Sequence, residues 1–107
     1  MNKLYRLRAI IGHKTIFLKK YNLIEELDFK YVCERDYVGR HDFMKENEEQ
    51  IVVYGNDLEI YTLDSRKVKK LTKLLKTYVI VEAEKLLKKS QEDLSIAKNL
   101  SLEVREI

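Results

Sequence analysis

A chain of 107 residues, 45% hydrophobic and 36% charged, has the size and balance of one soluble domain with an ordinary core. No apolar run reaches the roughly 18 residues a bilayer span needs, and charges interrupt the N-terminal MNKLYRLRAI, so neither an anchor nor a signal peptide is predicted and a cytoplasmic setting is expected. A formal net charge of +3 is too small to argue alone for nucleic acid, and the single cysteine, Cys33, excludes an internal disulfide and a CxxC zinc or redox motif.

The first half predicts strands. KLYRLRAII (3–11) and TIFLKKY (15–21) are rich in β-forming residues and are separated by Gly12-His13, a natural turn. In LDFKYVCER (27–35), Leu27, Phe29, Tyr31 and Cys33 alternate with Asp28, Lys30, Val32 and Glu34, the period of a half-buried strand. Cys33 then reads as a small buried apolar residue rather than a nucleophile. Residues 44–50, MKENEEQ, predict a loop or a single helical turn. Two further strands, 50–54 and 58–63, flank Gly55-Asn56, a pair that accepts positive φ and closes a tight hairpin.

From Asp64-Ser65, either of which can cap a helix, the period changes. Val68, Leu71, Leu74, Leu75, Tyr78, Val79 and Leu86 share one arc of a helical wheel, and Arg66, Lys69, Lys70, Lys73 and Lys76 occupy the opposite arc. TYVIV (77–81) has strand propensity, but the helical spacing of its apolar residues runs through it, so helix is favoured. Residues 65–76 hold six basic residues and no acid, which leaves the rest of the chain net acidic. The protein is therefore a charge dipole. A second apolar line, Ile80, Ala83 and Leu87, continued by Leu94, Ala97 and Val104, needs cover of its own. Two arrangements provide it: a break near Ser90-Gln91 that folds residues 92–106 back as a helical hairpin, or a longer helix that pairs with a second copy. The acids after Ser90 favour the break modestly.

CERDYVGRHDF (33–43) collects the residue types of a small metal-dependent nuclease. Asp36, His41 and Asp42 are the candidate ligands, and Arg35 or Arg40 the phosphate holder. Such chemistry needs carboxylates fixed on adjacent rigid elements. Here Gly39 predicts a turn, and only Asp57 and Asp64 follow at a distance, so the stretch is read as a solvated, non-catalytic loop tip. His13 and His41 are taken as turn residues. No glycine-rich phosphate loop and no GxSxG elbow occurs, so no enzyme activity, metal or cofactor is expected. Seven tyrosines without a tryptophan are too many hydroxyls for one core, which places several at a rim or surface.

The expected fold is α+β: an antiparallel sheet of four to five strands packed by a long amphipathic helix, with a second C-terminal helical segment. The expected function is non-enzymatic. Residues with AT-rich codons far outnumber Gly, Ala, Arg and Pro, a composition that suits phages and mobile elements, and the leading reading is a small protein that docks on a protein or nucleoprotein partner and modulates it, as an inhibitor of host machinery would. Arg66, Lys69, Lys70, Lys73 and Lys76 are its candidate contact face, toward an acidic or phosphate-rich surface, although a lysine-rich face also simply keeps a helix soluble. Ile80, Ala83 and Leu87 are the candidate self-association or docking seam, through which a homodimer would form. The alternative is a DNA or RNA binder that uses the lysine helix together with basic strands such as LYRLR and FLKKY.

Overall fold

Alternation along the strands gives the sheet two apolar faces, and each finds a different cover. The computed structural model describes residues 2–35, 39–85 and 91–107; Asp36, Tyr37, Leu86, Leu87 and Ser90, and the side chain of Leu94, lie outside them. The elements follow the order β1 (Lys3–Ile10), β2 (Phe17–Glu26), β3 (Lys30–Glu34), β4 (Arg40–Met44), β5 (Val52–Tyr54), β6 (Asp57–Thr62), α1 (Val68–Lys85), α2 (Gln91–Lys98) and β7 (Arg105–Glu106). The fold is α+β, with an antiparallel sheet in the order β4-β3-β2-β1-β6-β5 and the short β7 parallel to β2.

Pairing of Leu4 with Tyr21 and of Leu7 with Leu18 fixes the register of β1 on β2. Leu7, Ala9, Leu18, Leu58 and Ile60 thereby share one face, where Leu71, Leu75, Val79 and Ala83 of α1 cover them. These helix positions recur every four residues, so one line of α1 points into the sheet. Leu4, Tyr21 and Tyr61 lie on the other face and meet Tyr31, Cys33 and Phe43 from β3 and β4. The sheet must curl to bring these together, and β2 makes the curl. Its first half pairs with β1, its second half pairs with β3, and the register slips between Leu23 and Glu25 where one gives way to the other. A bulge of that kind bends a strand and strengthens its twist.

Several expectations change. β2 runs to Glu26 rather than stopping near residue 21, because a second partner takes over its pairing. β3 starts only at Lys30: the Leu27 amide donates to the Lys30 carbonyl, which makes 27–30 a turn and leaves Phe29 exposed despite its place in the alternation. β4 is an element that the sequence reading treated as a loop tip. All five of its residues pair with β3, so His41 is a strand residue, whereas His13 closes a turn at Gly12 by donating its amide to the Ile10 carbonyl. In the β5–β6 hairpin Gly55 takes φ 59°, and Asn56 does not need a positive φ. A glycine alone in the first central position suffices for one of the two favoured hairpin turns.

The C-terminal segment forms two helices, and α2 packs on α1. Ala97 and Leu100 are buried in the cluster that holds Ala83, with Ile80 and Val104 packed against it. Fully buried in the chain's own core, Ala83 is not available to a partner, and Ile80 is half-covered. The expected seam therefore lies inside the molecule at Ala83 and is partly covered by the chain itself at Ile80. Its physical basis is plain: Ala83 stands four residues after Val79 and belongs to the sheet-facing line. A break near Ser90 falls outside the described residues.

Candidate functional site

Asp64 starts the helical region. Its side chain accepts from the Arg66 amide, capping a single 3-10 turn (Ser65–Lys67) that leads into α1, and the Arg66 guanidinium folds back onto the same carboxylate at 3.1 Å. That pairing holds the Asp64 carboxyl below its ordinary range. A second tether comes from Glu49, which adopts φ 59°, accepts from the buried Thr62 hydroxyl at 2.8 Å and from Lys67 Nζ at 3.0 Å, and is itself held below the usual carboxylate range by these bonds. Arg66, expected on the open contact face, is thus exposed but paired.

Lys69, Lys70 and Lys73 are exposed and Lys76 is half-buried. None of the four forms an ion pair among the described residues, whose salt bridges lie elsewhere. The first turn of α1 contains no acid, and the next acid along the helix is Glu82, which pairs with Lys85. Cations at this end also oppose the helix dipole by about 0.3–1 kcal/mol each at low salt. Nothing in folding alone selects this placement.

The same outer surface holds a feature that the wheel hid. Leu74 and Tyr78 were assigned to the apolar arc, yet they are 39% and 43% exposed, and Val81 beside them is 41% exposed. The apolar residues of α1 span a wider arc than the sheet can cover, and the line 71, 75, 79 and 83 wins the sheet. Leu74, Tyr78 and Val81, spaced i, i+4, i+7, are left as a separate stripe that borders Lys70 and runs on to the exposed Lys85.

The basic strands behave differently. Arg6 pairs with Glu59 at 2.6 Å, Arg8 with Asp57 at 2.6 Å and Lys20 with Glu106 at 2.8 Å, while Lys19 sits 5.3 Å from the Tyr21 ring centroid. LYRLR is therefore neutralised within the sheet.

The polar cluster of residues 33–43 is dispersed by the pleat. His41 stacks on Phe43 with ring centroids 4.3 Å apart and lies 5.6 Å from Tyr21, whereas Asp42, one residue on, points to the other face and pairs with Lys30 at 2.7 Å. Asp36 lies outside the described residues, and among those described no group of three or more His, Cys, Asp or Glu side chains could hold a metal. Cys33 is fully buried, and burial pushes its thiol up to about 11, away from thiolate chemistry. Beside His41 a cleft of about 100 Å3 is lined by Met44, Asn47, Tyr54, Glu59 and Tyr61. Two of its polar groups are already engaged, Glu59 by Arg6 and the Tyr61 hydroxyl by the Met44 carbonyl to which it donates. The other buried tyrosines are satisfied likewise, Tyr31 donating to Glu48 and Tyr21 accepting from Arg6. No buried side-chain nitrogen or oxygen among the described residues lacks a partner. The cleft is walled by aromatic rings, and the unpaired positive charge described above is on α1.

No helix among the described residues is long and apolar enough to cross a membrane. The chain matches no protein-family model, no curated protein and no solved structure, so a functional reading rests on its own geometry.

Proposed function

We propose that this chain is a small non-enzymatic binding protein that docks on a protein or nucleoprotein partner through the outer face of α1 and modulates it. Four lysines without an acidic partner among the described residues carry this reading. They are held in one row by a helix whose opposite face is locked to the sheet. A positive row of this kind accelerates encounter with an acidic or phosphate-rich surface and contributes salt-sensitive affinity. The AT-rich composition suits a phage or mobile element, and host machinery is the corresponding class of partner. Direct binding of DNA or RNA is the second reading. The ion pairs of Arg6 and Arg8 count against it, since they remove the basic strand face from contact.

The test is a variant carrying Lys69→Glu, Lys70→Glu, Lys73→Glu and Lys76→Glu. Its fold should survive, because these side chains lie off the buried line. Capture from host lysate after nuclease treatment should yield a partner with the wild-type chain and lose it, by at least about tenfold, with the variant. Equal capture by a folded variant would show that the row is only a solvated face. Tight, steeply salt-dependent retention of the wild type on random-sequence duplex, with no capture once nucleic acid is digested, would transfer the function to the second reading.

A further inference from the structure

We infer that the free edge of β5 pairs with the same edge of a second copy of this chain, antiparallel and about a two-fold axis at Val53. The inference is independent of the docking reading above. β5 ends the strand order, and nothing among the described residues pairs with its outer edge. The two-residue turn at Gly55-Asn56 makes Tyr54 and Asp57 the closing pair, which exchanges both of its hydrogen bonds. The next pair, Val53 and Leu58, does not, so the Val53 amide and carbonyl point outward. This edge carries none of the usual protection. Val52, Val53 and Tyr54 include no charge, proline or bulge, and Val53 and Tyr54 are 43% and 59% exposed, whereas β4 at the other end of the sheet presents Arg40 and Asp42.

Packing beside β5 is also unfinished. Helix α1 lies over β1 and β6, and α2 closes its flank at Ile80 and Ala83, on the side of the β1–β2 turn, where Lys14 lines a groove with Ser95 and Ile96. Leu74 and Tyr78 project from the opposite flank, toward β5, and Val53 points into that same layer because its cross-strand neighbour Leu58 lies under α1. A lipid surface or a phosphate backbone cannot both donate to and accept from the Val53 backbone. A foreign strand satisfies that backbone, and a second copy of the chain supplies matching side chains and charges as well. Centred on Val53, each Tyr54 stands opposite Val52 of the other copy, an aromatic–β-branched pair made twice. No charge on the edge meets its like. The two-fold axis sets the helices antiparallel on one face of a continuous sheet, so the start of one α1, with Lys69, Lys70, Lys73 and Lys76, lies toward the end of the other, which holds Glu82 and Glu84, and the helix dipoles oppose. A strand of three residues is a short edge, so the pairing is reversible rather than obligate.

Sedimentation equilibrium of the intact chain from micromolar to millimolar concentration should show a reversible monomer–dimer equilibrium. Exchange of the Val53 amide, read by NMR, should slow as the dimer fills, while the amides of Val52 and Tyr54, which face β6, change little. Val53→Lys puts two like charges on the two-fold axis and should weaken the dimer at least about tenfold with an unchanged urea midpoint. Val53→Pro removes the outward amide without adding charge and should weaken it likewise. If either variant loses its fold, Tyr54→Lys, at the more exposed position, makes the comparison. A wild type that stays monomeric at millimolar concentration, a dimer equally tight in the folded variants, or Val53 exchange independent of concentration would each overturn the inference. So would protection of the Val53 amide in a monomer by an added alternating valine–threonine peptide, which would give the edge to a foreign strand.

Discussion

The two sides of the sheet are built on opposite principles. Under α1 the core is aliphatic: Leu7, Ile16, Leu58, Ile60, Leu75 and Val79 are buried against one another. Under the β3–β4 hairpin it is aromatic and partly ionic, with Phe43 edge-on to Tyr21 and to Tyr61, at 5.1 and 5.0 Å, and the Arg6–Glu59 pair beside them. One side is held by packing that any well-fitting apolar residue could approximate. The other is held by hydrogen bonds and ring contacts that need particular atoms. Substitutions should therefore cost stability for different reasons on the two sides.

The largest expected effect is on the aliphatic side. Leu75→Ala removes a fully buried side chain from the centre of the helix–sheet contact and should destabilise the fold by about 2–5 kcal/mol, read as a lowered urea midpoint. A smaller loss would mean that α1 settles onto the sheet and closes the cavity, and that this core is more yielding than its burial implies. On the aromatic side the corresponding change is Glu59→Gln. It keeps the shape and leaves the part-buried Arg6 guanidinium without its countercharge, for an expected loss of about 1–3 kcal/mol. Adding Arg6→Met to that variant should restore part of the loss, since the cost is an unpaired charge rather than a missing contact.

The same contrast explains what could be read from the sequence. Helix α1 and the β5–β6 hairpin are legible because one apolar period or one Gly55-Asn56 turn defines each of them locally. β4 is not: in RHDFM the inward residues are His41 and Phe43, and counting a histidine as polar breaks the alternation that was there. An imidazole stacked on Phe43 is an apolar residue in all but name. Phe29 shows the converse, an aromatic in perfect alternation that a turn carries out of the sheet. The candidate site was half legible. The lysine row follows from charge, whereas the exposed stripe Leu74, Tyr78 and Val81 depends on how much of α1 is covered by β1, β6 and α2, which the helix sequence alone does not specify.

The smallest effect sharpens the role of His41. Burial lowers its pKa below the ordinary 6.5, and the positive charges of Arg6 and Arg35 push the same way, against Glu59 and Asp42. A depressed folded pKa means that the unfolded chain binds the proton more readily. The stabilising contribution of neutral His41 is therefore complete above pH about 6.5 and is lost as pH falls through the folded value. Between pH about 7.5 and 5.5 the wild type should lose a modest part of its stability, and His41→Phe, which keeps a ring on Phe43, should flatten the profile across that window. The depressed carboxyls of Glu49 and Asp64 act lower, beneath their ordinary values of 4.5 and 3.8, and leave this window to histidine. Urea midpoints of the two proteins at the two pH values make the check. Equal slopes would mean that the imidazole reaches water in the folded state, and that the stack on Phe43 is not the dry wall of the aromatic core.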